Sequence, residues 1–95
     1  MAFASNKLRK QLHYEYGKLL GMQDGFVPAD EPSPQERATA LAISKQADIC
    51  SDLLDQYEAS VPKRAAAYAR QQCAPMRKHL AATAILFGVA GGDSE

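Results

Sequence analysis

Tryptophan is absent from the 95 residues, cysteine and histidine each occur only twice, and no apolar run approaches bilayer length. Each shortage removes a class of protein. Two cysteines are too few for a disulfide scaffold, and Cys50 and Cys73 lie too far apart in sequence to form the C-x-x-C pair that marks a zinc site. His13 and His79 show no H-x-x-x-H spacing, so a metal set would have to be assembled from singletons on separate segments. The most apolar stretch, Leu80 to Ala90, holds eleven residues, Thr83 and Gly88 among them, whereas a helical span needs roughly 17–25. The sequence has no strand-like alternation, no Asn-Gly hairpin signal and no internal repeat. Gly88, Gly91 and Gly92 follow a helical pattern, whereas a phosphate-cradling loop needs a strand before it and a lysine after it. Eleven basic residues balance eleven acidic ones, which excludes the strong overall field of a typical nucleic-acid or membrane binder. The opening Met-Ala-Phe-Ala-Ser-Asn has no basic stretch ahead of an apolar run, so we expect a cytosolic chain with both thiols reduced.

What is present is helical periodicity, in an amount that fits a single domain over residues 1–95. Leu8, Leu12, Tyr16, Leu19 and Leu20 recur at helical spacing. Ser5 or Asn6 is available as an N-cap and Gly21 as a stop, which predicts a first helix over about 6–20. Residues 21–33 show no period, and Phe26 and Val27 within them predict a loop anchored on the core. Ser33-Pro34-Gln35-Glu36 is a capping box with proline at the first helical position, so a helix starts there and runs to about 59. Its inner stripe is Ile43, Ala47, Cys50, Leu54 and Tyr57, flanked by Ala38, Ala42, Ile49 and Leu53. That apolar arc is wide enough for two neighbours. Val61-Pro62 breaks the pattern. It resumes through Ala65, Ala69, Cys73, Met76, Leu80, Thr83 and Phe87, with Pro75 predicting a kink or break near 71–75. Residues 91–95 read as a frayed tail. The fold class is therefore all-α, a small bundle of three helices built on an antiparallel hairpin, or of four if Pro75 divides the last.

No constellation of side chains supports catalysis. Cys73 and His79 are six positions apart, which turns them onto different faces of one helix. Asp48, Asp52, Asp55 and Glu58 form one ridge on the second helix, outward like Lys45, whereas a bundle di-metal site needs inward Glu-x-x-His motifs. We therefore expect a protein that is not an enzyme and carries neither cofactor nor metal.

The neutral total conceals segregated charge. Residues 61–80 carry Lys63, Arg64, Arg70, Arg77 and Lys78 with no acid, while residues 36–60 carry five acids against two bases. Lys63, Arg70 and Arg77 fall on one line at spacing seven, with Arg64 and Lys78 on the other flank and Tyr14, Tyr16 and Tyr68 interleaved among basic residues. One consequence is partial neutralisation across the bundle; the other is a basic face free to meet a partner. After this stretch, Ile85, Leu86 and Val89 exceed what one buried face accounts for, so they belong either to a central helix or to an interface. The candidate partner surface is thus Lys63, Arg64, Arg70, Arg77, Lys78, Ile85, Leu86 and Val89. The expected partner is a protein with an acidic or apolar surface, or a second copy of this chain through residues 80–90, and no membrane. The function that follows is regulator, adaptor or inhibitor of a larger complex, the role that small phage or mobile-element inhibitors fill. The alternative is an accessory nucleic-acid binder using the basic face of the last helix with the basic residues of the first.

Overall fold

Three segments carry apolar residues at threes and fours, and in a computed structural model of the protein all three are helical: α1 over Phe3–Gln23, α2 over Pro34–Ser60 and α3 over Ala66–Ala90. The structure describes residues 3–27 and 30–90, with side chains from 6 to 27 and from 30 to 88. A single 3-10 turn, Lys63–Ala65, leads into α3, and no strand occurs among the described residues. The fold is an all-α bundle of three helices. The expected tail at 91–95 lies outside the described residues.

The start of α2 follows the sequence closely. The Ser33 hydroxyl accepts from the Glu36 backbone N–H at 3.2 Å, and the Glu36 carboxylate accepts from the Ser33 N–H at 2.9 Å. Pro34 stands at the first helical position, where a missing donor leaves nothing unsatisfied. At the other end of α1, expectation and structure part. Gly21 does not stop the helix, and Ser5 and Asn6 lie inside it rather than capping it. The stop comes at Gly25, which takes φ +74 in a turn closed by the Phe26 N–H on the Gln23 carbonyl at 2.9 Å. A positive φ at the third position is what a type II turn requires, and only glycine adopts it without a Cβ penalty.

Pro75 does not divide α3, which is helical throughout residues 71–75. The reason is its placement: Gln71, Gln72, Ala74 and Pro75 are all exposed, so water can satisfy the Gln71 carbonyl that proline leaves without its donor. The expected fourth helix is therefore absent, and α2 and α3 form one antiparallel hairpin.

Helix α2 is the central element. It packs along both α1 and α3, whereas no α-carbon of α1 comes within 8 Å of one in α3 among the described residues. Ile43, Ala47, Cys50 and Leu54 are fully buried at the middle of its arc, with Ala40, Ser44, Gln46 and Leu53 completing it. From the flanks, α1 contributes Leu12 and Leu19, and α3 contributes Leu80 and Phe87. Three expected core positions on α2, Ala38, Ala42 and Ile49, are exposed instead. The arc is rotated toward Ala40 and Ser44 and takes in Gln46 on its other side, small or polar residues that hydropathy alone does not select. Leu20 is likewise exposed, because Leu19 already occupies the α1 side of the interface. Phe26 anchors the loop as expected, stacked on Phe87 with ring centroids 5.7 Å apart, but Val27 is 80% exposed and anchors nothing. The result is elongated, 48 × 21 × 19 Å with a radius of gyration of 15.0 Å, against about 12–13 Å for a compact chain of this length.

This packing sets which substitutions unfold the protein. Leu54→Ala, at the fully buried centre, is expected to cost about 2–5 kcal/mol. Ser33→Ala removes one half of the capping box and is expected to cost about 1 kcal/mol. Val27→Ala should stay within about 0.5 kcal/mol, as exposed positions do. Urea unfolding of the three variants, read by helical circular dichroism, checks the order.

Candidate functional site

Since α1 and α3 do not meet through their backbones, long side chains must span the space between them, and at one end they do. The Tyr16 hydroxyl lies 2.9 Å from His79 Nδ1, and the two rings stand edge to face with centroids 5.6 Å apart. Burial raises the Tyr16 hydroxyl above its ordinary pKa, with the Cys50 sulfur adding in the same direction, so the phenol keeps its proton. The hydroxyl donates to Nδ1 or accepts from its N–H according to the tautomer of the ring. Further along, Gln23 Nε2 donates to the Thr83 hydroxyl at 3.4 Å, and the Phe26–Phe87 stack closes the same end. Across the α1–α2 interface, buried Gln46 donates through Nε2 to the Glu15 carbonyl at 2.9 Å and to the Glu15 carboxylate at 2.7 Å.

At the other end the space stays open. A cavity of about 340 Å³ lies between the first half of α1, the last turn of α2 and the first half of α3. Arg9, Leu12 and His13 form one wall; Tyr68, Gln72, Cys73 and Met76 form the other, and Tyr57 closes the base. Leu12 is buried and Tyr57, Cys73 and Met76 are half-buried, so the floor is apolar, while Arg9, His13, Tyr68 and Gln72 form an exposed rim. The sequence reading did not group these residues. Arg9/His13 and Tyr68/Gln72 are each spaced by four, which puts each pair on one helix face, but nothing in the sequence shows that the two faces confront each other.

The structure separates the expected partner-surface residues into three sets. Arg77 reaches across the surface to α2: its guanidinium meets Asp55 at 2.9 Å and Glu58 at 3.2 Å. Burial pulls its pKa down, but the hydrogen bonds to the two carboxylates outweigh that and hold it raised. Lys63, Arg64, Arg70 and Lys78 are exposed, and none forms an ion pair among the described residues. Ile85 and Leu86 are 71% and 54% exposed, which places them on the surface rather than in a central helix. The Val89 side chain lies outside the described residues. The acidic ridge is thus engaged with α3 through Asp55 and Glu58, whereas Asp48 and Asp52 face outward.

Both thiols are free, with Cys50 buried and Cys73 half-buried. Burial pushes the Cys50 thiol up to about 11, helped by the negative charge of Glu15. Cys73 is raised too, by burial and then by Glu58, with Arg77 partly offsetting them. A thiol held protonated is a poor nucleophile and a poor metal ligand. No group of three or more metal-ligating side chains occurs among the described residues, and no helix described is long and apolar enough to cross a membrane.

Two measurements follow from this geometry. Tyr16→Phe removes the hydroxyl bonded to His79 and should lower stability by about 0.5–1.5 kcal/mol, read as a shift in the urea midpoint with helix content unchanged. The folded chain holds Cys50 protonated while the unfolded chain releases that proton near pH 9. Stability from this group is therefore present below about pH 9 and is lost as the pH rises toward 11. The urea midpoint should fall over that interval, and Cys50→Ala should reduce the fall; an identical slope in the variant refutes the assignment. No family model, curated protein or solved structure matches this chain.

Proposed function

We propose that the protein acts by binding another protein, as a regulator, adaptor or inhibitor, through the outward face of α3. The observation that carries this reading is the composition of that face. Lys78 and Ile85 are seven positions apart and lie on one line of the helix, with Ala74, Ala81 and Ala82 beside them, all exposed. Small side chains between a cation and a large apolar residue let another helix approach closely. Gln71 and Arg64 continue the line toward the 3-10 turn, with Lys63 and Arg70 flanking it on the side of Ala74 and Ala81 and Leu86 flanking it on the other. The occupant that fits is an amphipathic helix with an acidic edge: its apolar residues cover Ala81, Ala82, Ile85 and Leu86, and its acids face Lys63, Arg70 and Lys78. Arg77, tied to Asp55 and Glu58, is not part of this face. The two free thiols suit a reducing compartment, and we place the protein in the cytosol on that basis.

A second copy of this chain is the next reading, since the outer face of α2 presents Asp48 and Asp52 beside exposed Ile49. A nucleic-acid backbone is the other alternative; it would use the same cations and have no use for Ile85 and Leu86.

The test is a pull-down with the wild type, an Ile85→Asp variant and an Arg70→Glu/Lys78→Glu variant, with molar mass by light scattering. All substituted positions are exposed, so the fold should survive. A protein held by the wild type and lost by both variants supports the proposal. A monomer that retains nothing, or retention indifferent to both variants, overturns it. A mass of two chains that falls to one in the variants selects the second copy. Duplex binding that is steeply lost between low and moderate salt selects nucleic acid.

A further inference from the structure

We propose that the open end of the α1–α3 space is a binding site for a small organic anion with a planar apolar body, an aromatic carboxylate or aryl phosphate. The site is distinct from the outward face of α3, so it stands or falls apart from the function proposed above.

The first ground is shape. Toward Gln23 the gap between α1 and α3 is bridged by Tyr16 with His79, Gln23 with Thr83 and Phe26 with Phe87. Toward Arg9, no hydrogen bond joins α1 to α3 among the described residues, and a cavity of about 340 Å³ remains. Sites for small molecules begin at about 300 Å³, so the volume suits one fused ring system with a short head group.

Chemistry supplies the second ground. Leu12, Cys73 and Met76 offer an apolar and polarisable floor, and Tyr57 and Tyr68 supply two aromatic faces. That combination favours a flat ring over a flexible chain or a sugar. At the rim stand Arg9 and His13, and no carboxylate among the described residues lines the cavity. Glu58, whose charge reaches Cys73, is held by Arg77. Arg9 forms no ion pair among the described residues. Its planar guanidinium matches the two oxygens of a carboxylate or phosphate, and Gln72 across the gap adds an amide. The Cys73 thiol is held protonated, so it serves as part of the floor and adds no negative charge.

The experiment is an NMR titration of the whole chain with 2-naphthoate, 2-naphthyl phosphate and the neutral 2-naphthalenemethanol, each to about 5 mM. The expected result is saturable shifts at Leu12, Cys73 and Met76, with a dissociation constant of about 1 mM or tighter for at least one of the anions. The neutral alcohol should bind at least about fivefold more weakly, and Arg9→Gln should weaken the anion by a similar factor. Arg70→Gln removes the same charge from a different face and should leave the affinity unchanged. Whichever anion binds more tightly identifies the natural head group as carboxylate or phosphate. Equal binding of the neutral alcohol, equal losses in the two arginine variants, shifts centred on Ile85 and Leu86, or no saturation all overturn the proposal. Arg9 is exposed, so loss of binding in its variant cannot be ascribed to unfolding once circular dichroism matches the wild type.

Discussion

One helix must satisfy two partners, and the architecture depends on that constraint. The apolar arc of α2 runs through Ala40, Ile43, Ala47, Cys50 and Leu54 and widens to Ser44 on one side and to Gln46 and Leu53 on the other. A three-helix bundle in which every pair of helices meets would let each present a narrower stripe. Here α1 and α3 are held apart by the breadth of α2, and each buries its own stripe mainly against that helix. Small residues make this possible: at Ala40, Ser44 and Ala47 a neighbour can approach closely, and larger side chains there would push α1 or α3 away.

The polar chemistry of the interior follows from the same separation. A gap too wide for backbone packing and too narrow to stay fully wet is bridged by side chains with reach and a polar tip, and Tyr16, His79, Gln23 and Thr83 meet that description. Gln46 serves the α1–α2 interface similarly, giving one amide to both the carbonyl and the carboxylate of Glu15. Buried hydrogen bonds add little net stability when made and cost more when broken, so they fix register more than they add strength. The bonds to Glu15 set the height of α1 on α2. Arg77, reaching Asp55 and Glu58 one turn apart, does the same for α3 on the opposite edge. That pair is partly exposed to solvent, so it orients the helices more than it stabilises them.

Much of this was legible in the sequence, and the failures share a physical cause. The capping box at Ser33, the stripe from Ala69 to Phe87 and the anchoring of Phe26 each rest on local geometry that spacing reports directly. The misplaced helical residues, Leu20, Ala38, Ala42 and Ile49, are apolar side chains at the edge of a stripe. Their exposure depends on the angle at which a neighbour lies, and a hydropathy pattern carries no such information. Gly21 and Pro75 failed differently. Each breaks a helix only if its local cost exceeds what the flanking turns gain by packing, and here Leu19 and Met22 bracket the first while Leu80 and Phe87 follow the second. The cavity was illegible for a deeper reason: its two walls are more than fifty residues apart, and only the width of α2 brings them face to face.

Charge and apolar surface are distributed unequally over the same frame. Of the five cations between residues 61 and 80, one is spent on the acidic ridge, while Lys63, Arg64, Arg70 and Lys78 remain exposed. Neutralisation across the bundle is therefore real but partial. A chain that needed only to fold would have little reason to keep Ile85 and Leu86 in water on the helix whose inner face already buries Leu80, Thr83 and Phe87. Scattered surface apolar residues are ordinary. An exposed isoleucine seven positions beyond a lysine that pairs with no described residue, with alanines between, is a stripe, and it is the stripe on which the proposed helical partner would sit.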